Sequence, residues 1–363
     1  MTEQTKYSLQ NFIVVLLNIR YAGSVFFEIA TMPLTLVIIG ISLCIINYRR
    51  IELWWSVAIL IFTCLIFLSE SRVIDAWGII LAMYSLKDYP LEKFAKMNLF
   101  LGCLTVFSAF ILLKLGLIEE KVLGKSFDAT YEARDLGFGN PNSLGKFIFF
   151  LIANVYILNW RQTAKMFFVC LVISYITFRY SGSRTYFLAG IAMALLMISR
   201  KIYWRKYWGK IWIIFLVGIL IAFFRMVKIE DPILNILLSN RLAYSNWVLS
   251  SFSLKNYLTG YILMDNEIID NAYISMLCIG GVLYMALFIY MFITAFIRNY
   301  NFERVYVPVT IAIILSGFME SGFVAFGSAN VLLIWLILIK GLDGESINNN
   351  SCLQCGRLSR RLS

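Results

Sequence analysis

Residues 134–158 read RDLGFGNPNSLGKFIFFLIANVYIL, a polar, glycine-rich approach that runs straight into an apolar stretch. The approach holds Arg134 and Asp135, then Gly137, Gly139 and Gly145 around Asn140-Pro141-Asn142. Asparagine is a favoured N-cap and proline a favoured first helical residue, so a helix is expected to start at Pro141, with the Ser143 hydroxyl in its first turn. The residues that follow, 143–158, are predominantly apolar and do not alternate. In hydrocarbon every backbone N–H and C=O needs an internal partner, which a continuous apolar run obtains only as a helix.

The same pattern recurs along the chain. Of 363 residues 60% are hydrophobic and 15% charged, with a mean hydropathy of +0.78; a soluble domain is roughly half apolar. Apolar runs at 31–47, 53–69, 97–117, 143–158, 166–178, 186–198, 211–224, 271–297, 305–319 and 323–339 approach the roughly 20 residues that cross a bilayer. Two further segments leave the count open: 11–29 carries Arg20 and Glu28, and 73–86 is short and carries Asp75. The first lacks a basic start and is soon followed by another apolar run, unlike a cleavable signal peptide. The expected class is all-α, a polytopic integral membrane bundle of about 11–12 transmembrane helices, with a long outer loop containing surface helices. A closed barrel is excluded because the runs do not alternate.

The net charge of +11 follows topology and does not mark a nucleic-acid partner. Arg49 and Arg50, then Lys87, Lys93 and Lys96, then Arg161 and Lys165, then Arg200, Lys201, Arg205, Lys206 and Lys210 fall in alternate connections, as do Arg298, Arg304, Arg357, Arg360 and Arg361. Excess Lys and Arg mark cytoplasmic loops. Residues 1–340 then form a single transmembrane domain with outer loops at 118–142, 179–184 and 225–270, and residues 341–363 form a polar, disordered cytoplasmic tail.

The chain contains no histidine. That excludes Ser-His-Asp chemistry, HExxH zinc sites and histidine proton relays. Cys44, Cys64, Cys103, Cys170 and Cys278 lie in apolar runs, and Cys352 and Cys355 form a lone CxxC without partners for a zinc site. No metal or cofactor is expected.

Chemistry therefore concentrates in the three outer segments. The first carries both signs of charge and ends at the Asn140-Pro141 helix start; the second, RYSGSRT at 179–185, places Arg184 beside Ser183 and Thr185, either of which can cap the next helix. In the third, Asp231-Pro232 reads as a cap and Ile233, Leu234, Ile236, Leu237, Leu238, Leu242 and Trp247 as an amphipathic surface helix interrupted by Arg241. Asp265, Glu267 and Asp270 close the loop, with Asp270-Asn271 capping a further helix. Helices starting on one face offer unpaired N–H groups and positive dipole ends, a ready setting for phosphate.

The order and sidedness of GFGNPN with Leu144-Gly145, SGSRT at 181–185, Arg241, then Asp270-Asn271-Tyr273 followed by Gly280-Gly281 resemble the oligosaccharide repeat-unit polymerases of the O-antigen and capsule type, relatives of the O-antigen ligases. The resemblance implies a metal-independent glycosyltransferase in the bacterial cytoplasmic membrane, joining undecaprenyl-pyrophosphate-linked oligosaccharides at the outer face, and an inverting displacement is the expected mechanism. Donor and acceptor are both lipid-linked repeats, the bilayer is a partner, and a chain-length regulator and a flippase are candidate protein partners. Arg184, Arg134 and Arg241 are expected to hold pyrophosphate, since an arginine fork binds phosphate oxygens bidentately. Asp270, then Asp135, is expected as the base, and Asn140, Asn142, Ser183 and Asn271 as hydrogen-bonding contacts to sugar or phosphate. The ligase relatives typically use a histidine in the long outer loop, which this chain lacks; that favours a polymerase over a ligase-like glycan transferase. A lipid-linked glycan flippase or other transporter is the remaining alternative, and Arg20, Asp75, Lys114 and Glu320 would be its polar residues, with Pro33 and Pro308 its helix breakers.

Overall fold

The computed structural model describes residues 2–27, 32–47, 51–68, 73–125, 128–199, 208–229, 235, 241–261, 270–298, 300–324 and 328–343. Within them the chain runs through α1 (Glu3–Phe27), α2 (Met32–Asn47), α3 (Leu53–Leu68), α4 (Val73–Ser85) and α5 (Leu91–Lys114), a hairpin β1 (Val122–Lys125) and β2 (Asp128–Arg134), then α6 (Pro141–Asn159), α7 (Thr163–Ser181), α8 (Arg184–Ser199) and α9 (Trp208–Ile229). It continues with α10 (Arg241–Ser250), α11 (Leu254–Thr259), α12 (Ala272–Arg298), α13 (Tyr300–Gly317) and α14 (Ala329–Asp343). Among the described residues six helices, α1, α5, α6, α7, α9 and α12, are long and apolar enough to cross a membrane, and six shorter apolar helices accompany them. This is a helical, multi-pass membrane protein.

The two segments that left the count open are both helical. Residues 11–29 belong largely to α1, and 73–86 to α4. Most of α4 is buried, from Val73 and Asp75 through Ile79, Leu81 and Tyr84, and in α14 the run Leu332–Ile339 is almost wholly inaccessible. A helix apolar on every side belongs in the interior, and these two form the centre. The periphery has the opposite character: Phe67 on α3, Phe100 on α5, Phe168 on α7 and Ile214 on α9 are largely exposed. Exposed apolar rows of this extent fit a hydrocarbon solvent and not water.

Lipid tails are as apolar as leucine, so helices associate through close packing and buried polar links. Asn98 Nδ2 donates to Asn330 Oδ1 at 2.8 Å and Asn18 Nδ2 to Asn98 Oδ1 at 3.3 Å, tying α1, α5 and α14 together. Gln10 on α1 donates to the Ser85 carbonyl at 2.8 Å. Glycines meet serines elsewhere: a Cβ on Gly145 of α6 would lie 2.5 Å from Ser183 Cβ, and one on Gly190 of α8 would lie 2.1 Å from Ser174 Oγ of α7.

Three features depart from the sequence expectation. The connection 118–142 is not all irregular: β1 and β2 pair antiparallel with Val122 opposite Arg134 and Leu123 opposite Ala133, a small ribbon attached to an otherwise all-α bundle. Charge density concealed this short ribbon, which an aspartate closes at its base (below). Helix α9 continues to Ile229, beyond the expected end at 224, and α14 reaches Asp343, beyond the expected boundary at 340. The cap expected at Asp231-Pro232, the carboxylates Asp265 and Glu267, the pair Cys352 and Cys355, and the tail from residue 344 lie outside the described residues.

The third departure concerns the end of the long loop and the helix after it. Arg241 is the first described residue of α10, and the amphipathic segment expected before it lies, apart from residue 235, outside the described residues; Leu242 and Val248 of α10 are buried against Phe223 and Val227 of α9 and Ile274 and Cys278 of α12. A capping box between Ser253 and Asn256 then starts α11, which descends along α12 to a break at Gly280 and Gly281. The break releases the Cys278 carbonyl, and Tyr261 N–H takes it at 2.8 Å. Gly281 holds φ 64° and ψ −164°, a region essentially reserved for glycine. A Cβ there would also meet the backbone oxygens of Leu258 and Tyr257 at 2.5 and 2.6 Å. Gly281→Ala is therefore expected to destabilise by at least the roughly 1–3 kcal/mol of the backbone strain alone; an unchanged thermal unfolding midpoint in detergent would refute this account of the break.

Candidate active site

One end of the bundle gathers the starts of α6, α8 and α12 with the ends of α5, α7 and α13. At the start of α12 two adjacent polar residues divide the work. Asn271 Oδ1 accepts from Tyr273 N and Ile274 N, both at 3.0 Å, and so serves as the N-cap. Asp270 is thereby released from capping and turns to Arg241, whose Nη2 donates to its Oδ2 at 3.2 Å.

The same Nη2 also donates to Glu320 Oε1 at 3.2 Å. Glu320 stands in the connection between α13 and α14, its backbone N–H still bonded to the Ser316 carbonyl at 2.9 Å. One guanidinium nitrogen thus bridges two carboxylates distant in sequence. Nε and Nη1 of Arg241 have no partner among the described residues, so part of the fork remains available to a further oxyanion.

Lys146 of α6 and Tyr186 of α8 complete the group. Both Glu320 and Asp270 interact electrostatically with Lys146, and both also act on Tyr186. Gly322 shows how closely these side chains approach: a Cβ there would lie 2.6 Å from Tyr186 Oη and 3.0 Å from Lys146 Cδ. Tyr186 is 2% exposed and packs against Phe149 at 5.7 Å, and its hydroxyl has no hydrogen-bond partner among the described residues. It also borders a small cavity of about 10 Å³ onto which Ser174 and Ser183 face.

The segment carrying Glu320 and Gly322 is held by its carbonyls. Asn271 Nδ2 donates to Phe318 O at 2.8 Å, Trp335 Nε1 to Phe323 O at 3.0 Å, and Tyr284 Oη to Val324 O at 2.9 Å. Tyr284 and Trp335 stack with centroids 5.4 Å apart. Irregular backbone inside a membrane bundle survives where protein satisfies its polar groups, and these three donors do so. Rigid support of this kind is what a site needs to hold its geometry.

Of the residues expected from sequence, Arg241, Asp270 and Asn271 meet here. Ser183 lies against Gly145 and lines the same small cavity as Tyr186; its hydroxyl has no hydrogen-bond partner among the described residues and does not cap α8 through them. Arg184 is the first residue of α8 and is exposed. Asn140 caps α6 as expected, its Oδ1 accepting from Asn142 N at 2.8 Å.

Arg134 and Asp135 belong to a different network. Arg134 reaches Glu132 at 3.2 Å and Glu120 at 3.5 Å with its side chain 47% exposed. Glu120 also accepts from the Tyr180 hydroxyl. Asp135 is fully buried, and its Oδ1 accepts from Lys121 N and Gly137 N, both at 2.9 Å. It clasps the base of the hairpin, a role that follows from aspartate's affinity for nearby backbone N–H groups. Among the described residues no group of three or more Cys, Asp or Glu is placed to hold a metal.

Sequence reasoning did not select Glu320, Lys146 or Tyr186 for the site. The signal was present for two of them: an ionisable residue in or at the edge of a membrane segment is a functional candidate by default. Tyr186 carries no such mark among 20 tyrosines.

Burial, and then the charge of Asp270, push the Glu320 carboxyl up to about 7, against the opposing pull of Arg241 and Lys146. Between the ordinary carboxyl value of 4.5 and about 7, the folded protein keeps a proton that the unfolded chain has lost. Stability should therefore fall as pH rises through that window and level off above it. Relative to Glu320→Gln, the wild type should lose about 3 kcal/mol across the window, read as diverging thermal midpoints in detergent; parallel pH profiles would contradict the assignment. Compared with known proteins, the chain matches no family model, no curated protein and no solved structure.

Proposed function

We propose that this protein is a polysaccharide polymerase of the bacterial cytoplasmic membrane, joining undecaprenyl-pyrophosphate-linked oligosaccharide repeats. On this reading the six long and six shorter apolar helices all cross the bilayer, both termini lie inside, and the end of the bundle carrying Arg241 faces outward. Basic connections at the opposite end, such as Arg161 with Lys165 and Lys87 with Lys93 and Lys96, support that orientation through the positive-inside rule.

One observation carries the reading: Arg241 bridges two carboxylates while keeping donors to spare, beside Lys146 and several helix N-termini. Transfer of a glycan from a lipid pyrophosphate needs a cation where charge develops on the departing phosphate, and a base for the acceptor hydroxyl. Preplaced donors in a water-poor site meet the first need effectively. The carboxylates on the same guanidinium meet the second, and sharing one arginine holds base and cation in fixed register. Inversion follows when the acceptor oxygen attacks the anomeric carbon opposite the leaving pyrophosphate. Arg184, at the start of α8 on the same end, and the Asn140 and Asn142 helix start are further contacts for phosphate or sugar. No metal or other cofactor enters the scheme, and a chain-length regulator and a flippase are its protein partners.

The transporter alternative draws on the break in α12, because discontinuous helices mark many transport sites. Here the released Cys278 carbonyl already accepts from Tyr261 N–H, so protein satisfies it without a ligand. Of the other candidates, Arg20 Nε donates to Thr35 Oγ1 at 2.8 Å and Lys114 ends α5, while Asp75 is buried within α4 and Glu320 belongs to the Arg241 group.

Purified protein given lipid-linked repeat units in detergent should produce a ladder of products. Binding without elongation would sink the reading. Arg241→Lys keeps the charge and loses the fork; it should slow elongation about 100-fold, the order seen when one preplaced donor is lost.

A further inference from the structure

The two carboxylates on Arg241 sit in different surroundings. The Asp270 side chain is 39% exposed and that of Glu320 11%. Around Glu320, each packed element contributes a charged or titratable group: Arg241 from α10, Asp270 from the segment before α12, Lys146 from α6 and Tyr186 from α8. Asp270 is met by Arg241 across its wetter surface and stands at the rim.

We propose that Glu320, and not Asp270, is the proton acceptor of this centre, with Asp270 orienting Arg241 and with Lys146 and Tyr186 standing within electrostatic reach of the Glu320 carboxylate. The inference rests on the glycosyl-transfer reading above. In the step it describes, the acceptor O–H bond breaks and its proton passes to a Glu320 carboxylate oxygen. The hydroxyl oxygen forms the new bond to the anomeric carbon as the bond from that carbon to the pyrophosphate oxygen breaks. The electron pair leaves on the pyrophosphate, held by Nε and Nη1 of Arg241, and Glu320 afterwards releases its proton to water.

Burial is what separates the two candidates. A carboxylate withdrawn from water binds a proton more tightly than one at the surface, and a base works best when its proton affinity lies near the working pH. The upward shift of Glu320 to about 7 is of that kind. Its attachment is also the more rigid, since three side-chain donors from α12 and α14 hold the carbonyls around it. Gly322 is part of the same design: only a residue without a Cβ lets Tyr186 and Lys146 come this close to the Glu320 segment.

The test uses full-length protein in nanodiscs with lipid-linked repeat units, measuring single-turnover elongation and donor binding separately across pH. Wild-type elongation should rise with pH to a plateau whose inflection lies at or above the resting Glu320 value of about 7, because the bound pyrophosphate adds negative charge. Glu320→Gln should cut the rate about 100-fold or more, the order expected for loss of general-base catalysis, remove that pH dependence, and leave donor binding no weaker than in the wild type. Asp270→Asn should slow the reaction and keep the inflection. Where Glu320→Gln yields no folded protein, Glu320→Asp decides the matter, since it should retain a slower rate with a pH inflection. A Glu320→Gln enzyme that elongates like the wild type, or that keeps the inflection, overturns the proposal. So does a loss of rate explained by lost donor binding. A wild type that binds the lipid-linked repeats and never elongates them overturns the transfer reading itself, and the assignment of Glu320 with it.

Discussion

A guanidinium taken out of water must be paired, and so must each carboxylate beside it; the arrangement at Arg241 depends on that requirement. Withdrawing an ion into a low-dielectric interior costs several kcal/mol after relaxation, and two carboxylates alone would add mutual repulsion. One Nη2 donating to both Asp270 and Glu320 offsets these costs and joins three parts of the chain that no local sequence relation connects. The long loop must deliver Arg241 at the start of α10, the entry to α12 must leave Asp270 uncommitted, and the connection after α13 must turn inward. Each demand has a visible solution: Leu242 and Val248 anchor α10, Asn271 takes over the capping, and Asn271, Tyr284 and Trp335 hold the turn by its carbonyls.

Lys146 reaches this group because α6 and α8 approach closely. The contact between Gly145 and Ser183 leaves no room for a larger residue, and small residues at such crossings are how membrane helices gain packing contact without a hydrophobic driving force. The glycines here act on the site at one remove. Gly145 sets the separation of two helices, Gly322 admits two side chains, and Gly281 admits the backbone of α11.

What was legible in the sequence divides along the same line. Apolar runs announce helices because the bilayer leaves the backbone no alternative, and Asn140-Pro141 and Asn271 mark helix starts because orphan N–H groups need local acceptors. Arg241 and Asp270 stood out as charges in a loop bordering such starts. The hairpin did not stand out, because Asp128, Glu132 and Arg134 conceal the alternation of a strand too short to announce itself. Nor did the structural role of Asp135: an aspartate before a glycine turn reads as a free carboxylate until its two backbone donors are visible. Glu320 and Lys146 were readable only as isolated charges near membrane segments. Their meeting is a tertiary fact, set by the packing of α6 against the turn after α13, and neither local propensity nor spacing encodes it.

Charge balance connects the resting site to the proposed chemistry. Arg241 and Lys146 face Asp270 and Glu320, so the group is close to neutral when all four are ionised and can rest beside hydrocarbon without a bound anion. A pyrophosphate arriving on the spare donors of Arg241 adds negative charge to this balanced set. The carboxylate with the least water around it, Glu320, feels that addition most strongly, since screening is weakest where burial is greatest. Its affinity for a proton therefore rises as the donor binds, by the same linkage that couples any two charges sharing a site. On the proposed reading, binding of the lipid pyrophosphate strengthens the base that must take the acceptor's proton. Departure of the anion weakens it again, so the proton is released once the product has left.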